Sequence, residues 1–199
     1  MVQVEYVPEW DLKSARYWRC LAIAFCAFSI IGHWMEIPYC LFMDASFGIV
    51  DDNSLVFVDP FYPFLVYGIA AVACALFLVP LRLWITRITT NRLIALIQFY
   101  LLAVVASMTV ELVMGLILNQ PDPLTGIYPL WDNSQLPLNI FGQAWLVNDM
   151  LLGAVVTIYV WVLYPFLARI VYRIPRSWGW PAAIIIVAGF VALCIVKFS

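Results

Sequence analysis

Charged residues are scarce in this chain, and that scarcity excludes most classes of soluble protein. Of its 199 residues, 11% are charged and 65% are hydrophobic, and the mean hydropathy is +0.97. A soluble domain carries about 25% charged residues, and a disordered chain is poor in apolar residues. The ten basic residues form no broad basic face, so we expect no nucleic-acid partner. The sequence has long apolar runs instead, which are typical of a helical membrane protein.

Sequence patterns of several common enzymes and metal sites are also missing. The single histidine is too few for the multi-histidine sites of membrane oxygenases, and the five cysteines form no C-x-x-C pair. The chain has no G-x-x-x-x-G-K-[ST] phosphate loop and no G-x-S-x-G nucleophile turn. We therefore expect a protein that is not an enzyme, with no catalytic residues and no cofactor. Whether it binds a metal stays open.

Five mostly apolar runs are long enough to span a bilayer, which takes about 20 residues. They cover residues 20–42, 61–81, 93–118, 140–168 and 178–196. The runs are continuous and do not alternate, which excludes a membrane β-barrel. The predicted fold class is all-α: a polytopic membrane helical bundle of five transmembrane helices, forming a single integral membrane domain over residues 1–199.

The basic residues are distributed unevenly over the connections between these spans. Nine of the ten lie in residues 1–19 or in the connections after spans two and four. The connections at residues 43–60 and 119–139 contain none, and only Lys197 departs from the pattern. Basic segments stay on the cytoplasmic side of a membrane. We therefore expect a multi-pass protein of the cell (plasma) membrane, with a cytoplasmic N-terminal segment (residues 1–19) and the C-terminus outside.

Three acidic side chains fall inside predicted spans, where a charge costs on the order of 2.5–3.5 kcal/mol. Judged from the helical rise per residue, Glu36, Glu111 and Asp149 lie at similar depths in the outer half. His33 shares a helix face with Glu36, and no Lys or Arg lies well inside a span to neutralise the acids. Small residues flank the acids and permit close helix packing, so we expect them to face the bundle interior.

These groups predict a polar pocket that opens outward and holds a proton, a metal cation or the cationic part of a substrate. The second outer loop is expected to fold back and help to close it. The candidate binding residues are Glu36, Glu111, His33, Asp149 and Asp132. We further expect Glu36 and Glu111 to approach each other and to share one proton, because two adjacent carboxylates do not easily both ionise. The alternative is that each carboxyl is protonated, bonds to a neighbour and serves only assembly.

Spans one and two resemble spans three and four, as if one hairpin were duplicated. Pro63 follows Glu36 by 27 residues, and Pro137 follows Glu111 by 26. Both copies run outward and return, so the duplication would be parallel, and transporters that contain such repeats bind at the repeat interface. Chance similarity between two spans that start with proline is the alternative.

Four motifs in this order resemble the type IV ABC-transporter permease family (CmpB-like), over about residues 20–170. They are a Gly-x-x-x-Glu in the first span, a Pro-rich start of the second, a Glu-x-x-x-Gly in the third, and W-D-N-S-x-x-P-x-N-x-x-G before the fourth. Three positions depart from the family pattern: Asp59 replaces Gly, Asn133 replaces Tyr, and Gln143 stands where Arg is common. Asp149 lies outside the motifs. The motifs supply the structural candidates Gly32, Pro63, Tyr67, Gly68, Gly115, Trp131, Ser134, Pro137, Asn139 and Gly142.

The resemblance implies a small integral membrane transport subunit, a permease that needs a separate ATP-binding subunit at its cytoplasmic side. The candidate contacts for that subunit are the basic connections at residues 82–92 and 169–176. Membrane lipids are further expected partners, and a homo-oligomer stays open. Two alternative functions also stay open: a membrane-embedded lipid- or isoprenoid-modifying enzyme that uses paired carboxylates as acid and base, and a non-catalytic assembly subunit.

Overall fold

The computed structural model describes residues 8–48, 55–124, 126 and 128–199. The helices are α1 (Ala15–Phe47), α2 (Leu55–Val58), α3 (Leu65–Ala73), α4 (Val79–Ile88), α5 (Arg92–Leu118), α6 (Leu146–Ile158), α7 (Tyr164–Arg173) and α8 (Arg176–Phe198). A small antiparallel sheet of β1 (Asn139–Ile140) and β2 (Ala144–Trp145) precedes α6. Two π-helical segments, Cys74–Leu78 and Tyr159–Leu163, join α3 to α4 and α6 to α7.

Five helical stretches of the described chain are long and apolar enough to cross a membrane, which confirms the predicted all-α, five-span fold. They are Ala15–Phe47, Leu65–Ile88, Arg92–Leu118, Leu146–Arg173 and Ser177–Phe198. The second and fourth run past the predicted inner ends and include Arg87 and Arg173. A long basic side chain can extend from a helix to the interface, so helix and apolar run need not end together. At the N-termini of α1 and α5, the side chains of Ser14 and Asn91 cap free backbone N–H groups.

The fourth membrane helix begins at Leu146, whereas the sequence predicts a span from residue 140. Residues 139–145 form the β1–β2 hairpin instead. In its turn, Phe141 and Gly142 have φ angles of 53° and 68°, a left-handed backbone that cannot belong to an α-helix. The apolar side chains of Ile140 and Phe141 conceal this turn in the sequence. The segment at residues 63–68, which the sequence pairs with residues 137–142 as a repeat, leads directly into α3 and contains no such hairpin.

The chain divides into two compact units. The first comprises residues 1–79 and 162–199, and the second comprises residues 80–161. Each unit thus contains the outgoing helix and the start of the returning helix of one predicted hairpin: α1 and α3 in the first, α5 and α6 in the second. Glycines let these helices pack closely. A methyl group at Gly32 would overlap Tyr67, one at Gly68 would overlap Ser29, and one at Gly153 would overlap Val104.

Each returning span contains an internal proline that follows a π-helical turn. Cys74–Leu78 precedes Pro80, and Tyr159–Leu163 precedes Pro165, with one residue between in both cases. Proline lacks a backbone N–H, and its ring clashes with the carbonyl four residues earlier in an α-helix. In a π-helical turn the backbone N–H bonds to the carbonyl five residues earlier, and not to the one four residues earlier. In the first span of the two, the N–H of Val79 accordingly bonds to the carbonyl of Cys74.

Backbone carbonyls in both π-helical turns accept hydrogen bonds from side chains. In the first unit, the Tyr17 hydroxyl donates to the carbonyl oxygen of Ala75 at 3.1 Å. In the second unit, Arg82 donates from Nη1 to the carbonyl oxygen of Val160 at 3.0 Å. Ala75 and Val160 each lie five residues before their proline. The same arrangement in both units supports the predicted duplication. The positions that correspond here are the π-helical turns and their prolines, and not the segments that the sequence motifs pair.

Candidate functional site

His33 is fully buried in the first unit, with a carbonyl oxygen at each ring nitrogen. Nδ1 lies 2.6 Å from the carbonyl oxygen of Tyr62, and Nε2 lies 3.0 Å from that of Val56. The ring stacks on Phe64, with centroids 4.2 Å apart. Carbonyl oxygens only accept, so both contacts are hydrogen bonds only when both ring nitrogens carry a proton. His33 thereby ties the connection between α1 and α3 to α1, and neither nitrogen is free for a metal.

Glu36 lies one turn further along α1 and is bonded to the next span. Its carboxylate accepts a hydrogen bond from the Tyr67 hydroxyl of α3, with 2.8 Å between the oxygens. Gly32 provides the space that the Tyr67 side chain occupies. His33 is close enough to Glu36 to interact with it electrostatically. The Gly-x-x-x-Glu motif of the first span therefore holds a tyrosine hydroxyl against an acid.

In the second unit, α5 and α6 bring two acids together. Asn148 donates its side-chain amide to the two carboxylate oxygens of Glu111, at 3.3 Å and 3.4 Å. Asp149, the next residue, is 0% exposed, and neither of its carboxyl oxygens has a hydrogen-bond partner among the described residues. The carboxyl groups of Glu111 and Asp149 interact electrostatically and lie close enough to share a hydrogen bond when one of them is protonated. Asp149 is thus a buried acid to which no N–H group of the described chain donates.

The chemistry of this carboxyl pair favours a small positive charge. An unsatisfied buried polar group costs about 1–3 kcal/mol, and an ionised one costs more. Two adjacent carboxyls lower that cost when a proton or a cation lies between them. No group of three or more His, Cys, Asp or Glu side chains in the described chain could hold a metal ion. The pair therefore suits a proton, or a cation that brings part of its own hydration shell or hydrogen bonds.

A pair of buried amides fixes the connection between α5 and α6. Asn119 donates from Nδ2 to Oε1 of Gln143 at 2.9 Å, and Gln143 donates from Nε2 to the Asn119 carbonyl at 3.0 Å. Oδ1 of Asn119 accepts the backbone N–H of Leu130, and the Gln143 carbonyl accepts the indole N–H of Trp131. Gly115 leaves room for the Gln143 side chain. Residues around Trp131 thus fold back onto the end of α5, on the same helix as Glu111.

The loop at residues 131–142 is held in turns by its own polar side chains. Asp132 is exposed, and its Oδ1 accepts the backbone N–H of Ser134 at 2.8 Å. Asn139 donates to a carbonyl within the loop and accepts the N–H of Gly142. Asp132 therefore caps a turn, and no hydrogen bond within the described chain joins it to the carboxyl pair.

The predicted site residues thus fall into two sets. His33 and Glu36 lie in the first unit, and Glu111 and Asp149 lie in the second. The approach of Glu36 to Glu111 stays a prediction. Sequence reasoning missed Asn148, because an asparagine in an apolar run belongs to no motif; its position next to an intramembrane acid was the available signal.

The basic residues expected to contact an ATP-binding subunit differ in exposure. Arg82 is 7% exposed, and its guanidinium lies 5.9 Å from the ring centre of Trp161 in addition to its bond to Val160. It is therefore occupied inside the second unit. Among the side chains of the set that the structure describes, the exposed ones are those of Arg87, Arg92, Arg169 and Arg173.

Two residues that depart from the sequence patterns form an ion pair with each other. Lys197 departs from the charge asymmetry of the loops, and Asp59 departs from the motif before the second span. Their side chains form an ion pair of 2.6 Å in the first unit. The hydrogen bond from the Lys197 ammonium lowers the pKa of the Asp59 carboxyl below its ordinary value. The pair ties the connection before α3 to the end of α8.

Comparison with known proteins gives one finding about the family. The sequence model of the family described as "Putative ABC-transporter type IV" matches residues 23–198. The match contains all four motifs quoted above and residues of both compact units. No curated protein and no solved structure matches the chain.

Proposed function

Because the chain belongs to the type IV ABC-transporter family, we propose that it is the membrane subunit of a transport system whose Glu111 and Asp149 carboxyls bind a cationic group. The observation that carries this proposal is the state of Asp149. It is fully buried, no N–H group of the described chain donates to its oxygens, and a second carboxyl lies close enough to share a proton with it. Such an arrangement is stable only when a positive charge or a proton compensates it.

Asn148 gives each carboxyl of the pair a separate role in this site. Its amide donates to both oxygens of Glu111 and so holds that carboxyl in place. No N–H group of the described chain donates to Asp149, so Asp149 is the carboxyl at which the proton or the incoming cation binds. With the orientation that the charge asymmetry of the loops favours, the proposed site lies in the outer half of the membrane and opens to the outside.

Transport by an ABC system requires ATP hydrolysis, for which this chain has no phosphate loop. A separate ATP-binding subunit therefore docks at the cytoplasmic side. The exposed arginines of the two basic connections, unlike the buried Arg82, support that surface as the contact. Copurification with a tagged chain tests this part: an ATP-binding protein is expected, and its loss in an Arg87→Gln, Arg169→Gln double variant would locate the contact.

Dicyclohexylcarbodiimide is a suitable probe of the carboxyl pair, because it modifies protonated carboxyls in apolar surroundings. The protein is reconstituted in liposomes, treated with the reagent, and the adduct is mapped by mass spectrometry. We expect modification of Asp149 or Glu111, slowed by at least one of sodium, potassium or methylammonium ions. No modification of the pair, or a rate that none of these cations changes, would contradict the proposal.

Matched variants separate this site from other acids in the chain. Asp149→Asn combined with Glu111→Gln should abolish the adduct on α5 and α6. Glu36→Gln tests whether Glu36, which is bonded to Tyr67, takes part in the site. Asp132→Asn is the control in the loop, because its carboxyl caps a turn, and it should keep the cation-sensitive modification of the pair.

A further inference from the structure

Arg19 is a buried cation that no acid of the described residues neutralises. Its side chain is 6% exposed, and its Nε has no hydrogen-bond partner. No ion pair to Arg19 is found among the described residues. The guanidinium lies 5.3 Å from the ring centre of Trp180, and a methyl group at Gly179 would overlap its Nη1. Gly179 and Trp180 therefore form a cradle for the guanidinium, and the aromatic face alone compensates its charge only in part.

The helix that provides this cradle adds positive charge to it. Gly179 lies in the first turn of α8, and that turn contains no acidic residue. The start of a helix carries a partial positive charge. The N–H groups of Trp178 and Gly179 donate to the carbonyl of Pro175, which leaves the backbone N–H groups of Arg176 and Ser177 for a ligand. A guanidinium beside the start of α8 is thus next to charge of its own sign, and an anion that contacts both groups would compensate both.

An apolar groove lies further along the same two helices, on the outside of the first unit, and none of the three cradle residues lines it. It has a volume of about 810 Å³ and lies between α1, α3 and α8. Its lining includes Trp18, Ala22, Phe25, Val187, Val191 and Phe198. Arg19, Ala22 and Cys26 share one face of α1, and Trp180, Val187 and Val191 share one face of α8. The cradle and the groove therefore lie on the same facing sides of two helices.

We propose that Arg19 and the start of α8 bind the phosphate of a phospholipid, and that an acyl chain of this lipid lies in the groove. Charge complementarity supports the phosphate, since guanidinium and helix N-terminus are the two protein groups that most often hold one. The apolar groove that starts beside Trp18, the chain neighbour of Arg19, supports a lipid as its source. This site lies in the leaflet that the basic residues predict to be cytoplasmic. It is independent of the carboxyl pair and of the transport proposal.

Binding of phosphatidylglycerol to the purified, delipidated full-length protein tests the proposal by native mass spectrometry. Arg19→Gln should weaken binding on the order of tenfold, because a charge-assisted hydrogen bond is lost. Gly179→Ala should weaken it without removing a charge, since the new methyl displaces the guanidinium. The matched control is Arg16→Gln, one turn earlier on α1, where the half-buried guanidinium lies 5.4 Å from the ring centre of Tyr172. The control should bind as the natural protein does.

A second arm distinguishes a lipid from a free anion. Val191→Trp fills the groove and should weaken phosphatidylglycerol binding, while inorganic phosphate should compete only weakly with the lipid. If inorganic phosphate displaces the lipid at equal concentration and Val191→Trp has no effect, the site is one for a free anion and the lipid proposal is wrong. The proposal is also wrong if neither Gly179→Ala nor Arg19→Gln binds more weakly than Arg16→Gln. Should Arg19→Gln fail to fold, Gly179→Ala decides.

Discussion

The Tyr67 hydroxyl donates to the carboxylate of Glu36 across 2.8 Å, and this bond joins α3 to α1 within the predicted bilayer. The hydrogen bond stabilises the half-buried carboxyl of Glu36 without transferring a proton to it. Because Gly32 makes the approach of Tyr67 possible, three residues of two motifs act as one structural group.

Tyr67→Phe removes this bond and should lower the free energy of unfolding. Hydrogen bonds between membrane helices contribute about 0.6–1.7 kcal/mol, so we expect a loss in that range. Chemical unfolding in detergent measures it. Tyr100→Phe serves as control, because the Tyr100 hydroxyl makes a longer bond of 3.3 Å to the Met150 carbonyl. Equal losses for the two variants would contradict a special contribution of Tyr67.

His33→Leu should destabilise the first unit because it removes the ring nitrogens that bond to the carbonyls of Tyr62 and Val56. An unsatisfied buried group costs about 1–3 kcal/mol. His33→Gln keeps one donor and should lose less. Hydrogen exchange at residues 55–64 should accelerate in the same order. A His33→Leu protein as stable as the natural one would show that the two carbonyls find other donors.

The Asp59–Lys197 pair should make stability depend on pH in the acid range. The folded pKa of Asp59 lies below its unfolded value, near 3.9 for a free aspartate, because Lys197 donates to it. Its stabilisation is therefore complete above the unfolded pKa and is lost as pH falls through the folded one. Asp59→Asn should lower the thermal midpoint at neutral pH, and the difference from the natural protein should close in acid. Asp44→Asn, at an exposed acid near the end of α1, is the control; a difference that stays constant with pH would contradict the assignment.

The predicted topology is tested by cysteine labelling in intact cells. The five native cysteines are first replaced, and one new cysteine is introduced per variant. Gly126→Cys should react with an impermeant reagent from outside, and Arg87→Cys only after permeabilisation. Gly126 is open to its surroundings, since nothing lies within 4 Å of an added Cβ. The reverse pattern would overturn the orientation with a cytoplasmic N-terminus.

Glu36 and Glu111 are predicted to approach each other in the outer half of the membrane. In the cysteine-free background, Glu36→Cys with Glu111→Cys should crosslink through a short bifunctional reagent. Glu36→Cys with Val113→Cys is the matched control, because Val113 lies two positions along α5 and therefore on another face. Crosslinking of the control pair alone would exclude a shared site. In that case Glu111 and Asp149 would act without Glu36.

Apolar run length was sufficient to predict the five spans, because burial in a bilayer depends on composition over about 20 residues. The same criterion failed at residues 139–145, because the turn there depends on backbone conformation and its side chains are as apolar as those of a span. Ile140 and Phe141 are apolar, yet the φ angle of Phe141 is positive. The prolines inside spans two and four were visible in the sequence, but the π-helical turns before them depend on which side chains reach the freed carbonyls.

The site was predictable in part for a similar reason. An acid in an apolar run is conspicuous, so Glu36, Glu111 and Asp149 could be named from the sequence. Their neighbours could not, because the partners of Asn119, Gln143 and Asn148 are set by helix packing across distant positions. Arg19 was interpreted only as a marker of orientation, since burial of a guanidinium at the end of a span has no sequence pattern.

The π-helical turns before Pro80 and Pro165 have a consequence for how these spans tolerate length changes. A π turn contains one residue more than an α turn, and each residue of an α-helix advances by about 100°. Deleting a single residue from Cys74–Leu78 would therefore rotate every later side chain of the span by about that angle. Arg82 would then no longer point at the Val160 carbonyl. The π-helical turn thus sets the phase between the two ends of the span, so its number of residues cannot change without misaligning one end against its neighbours.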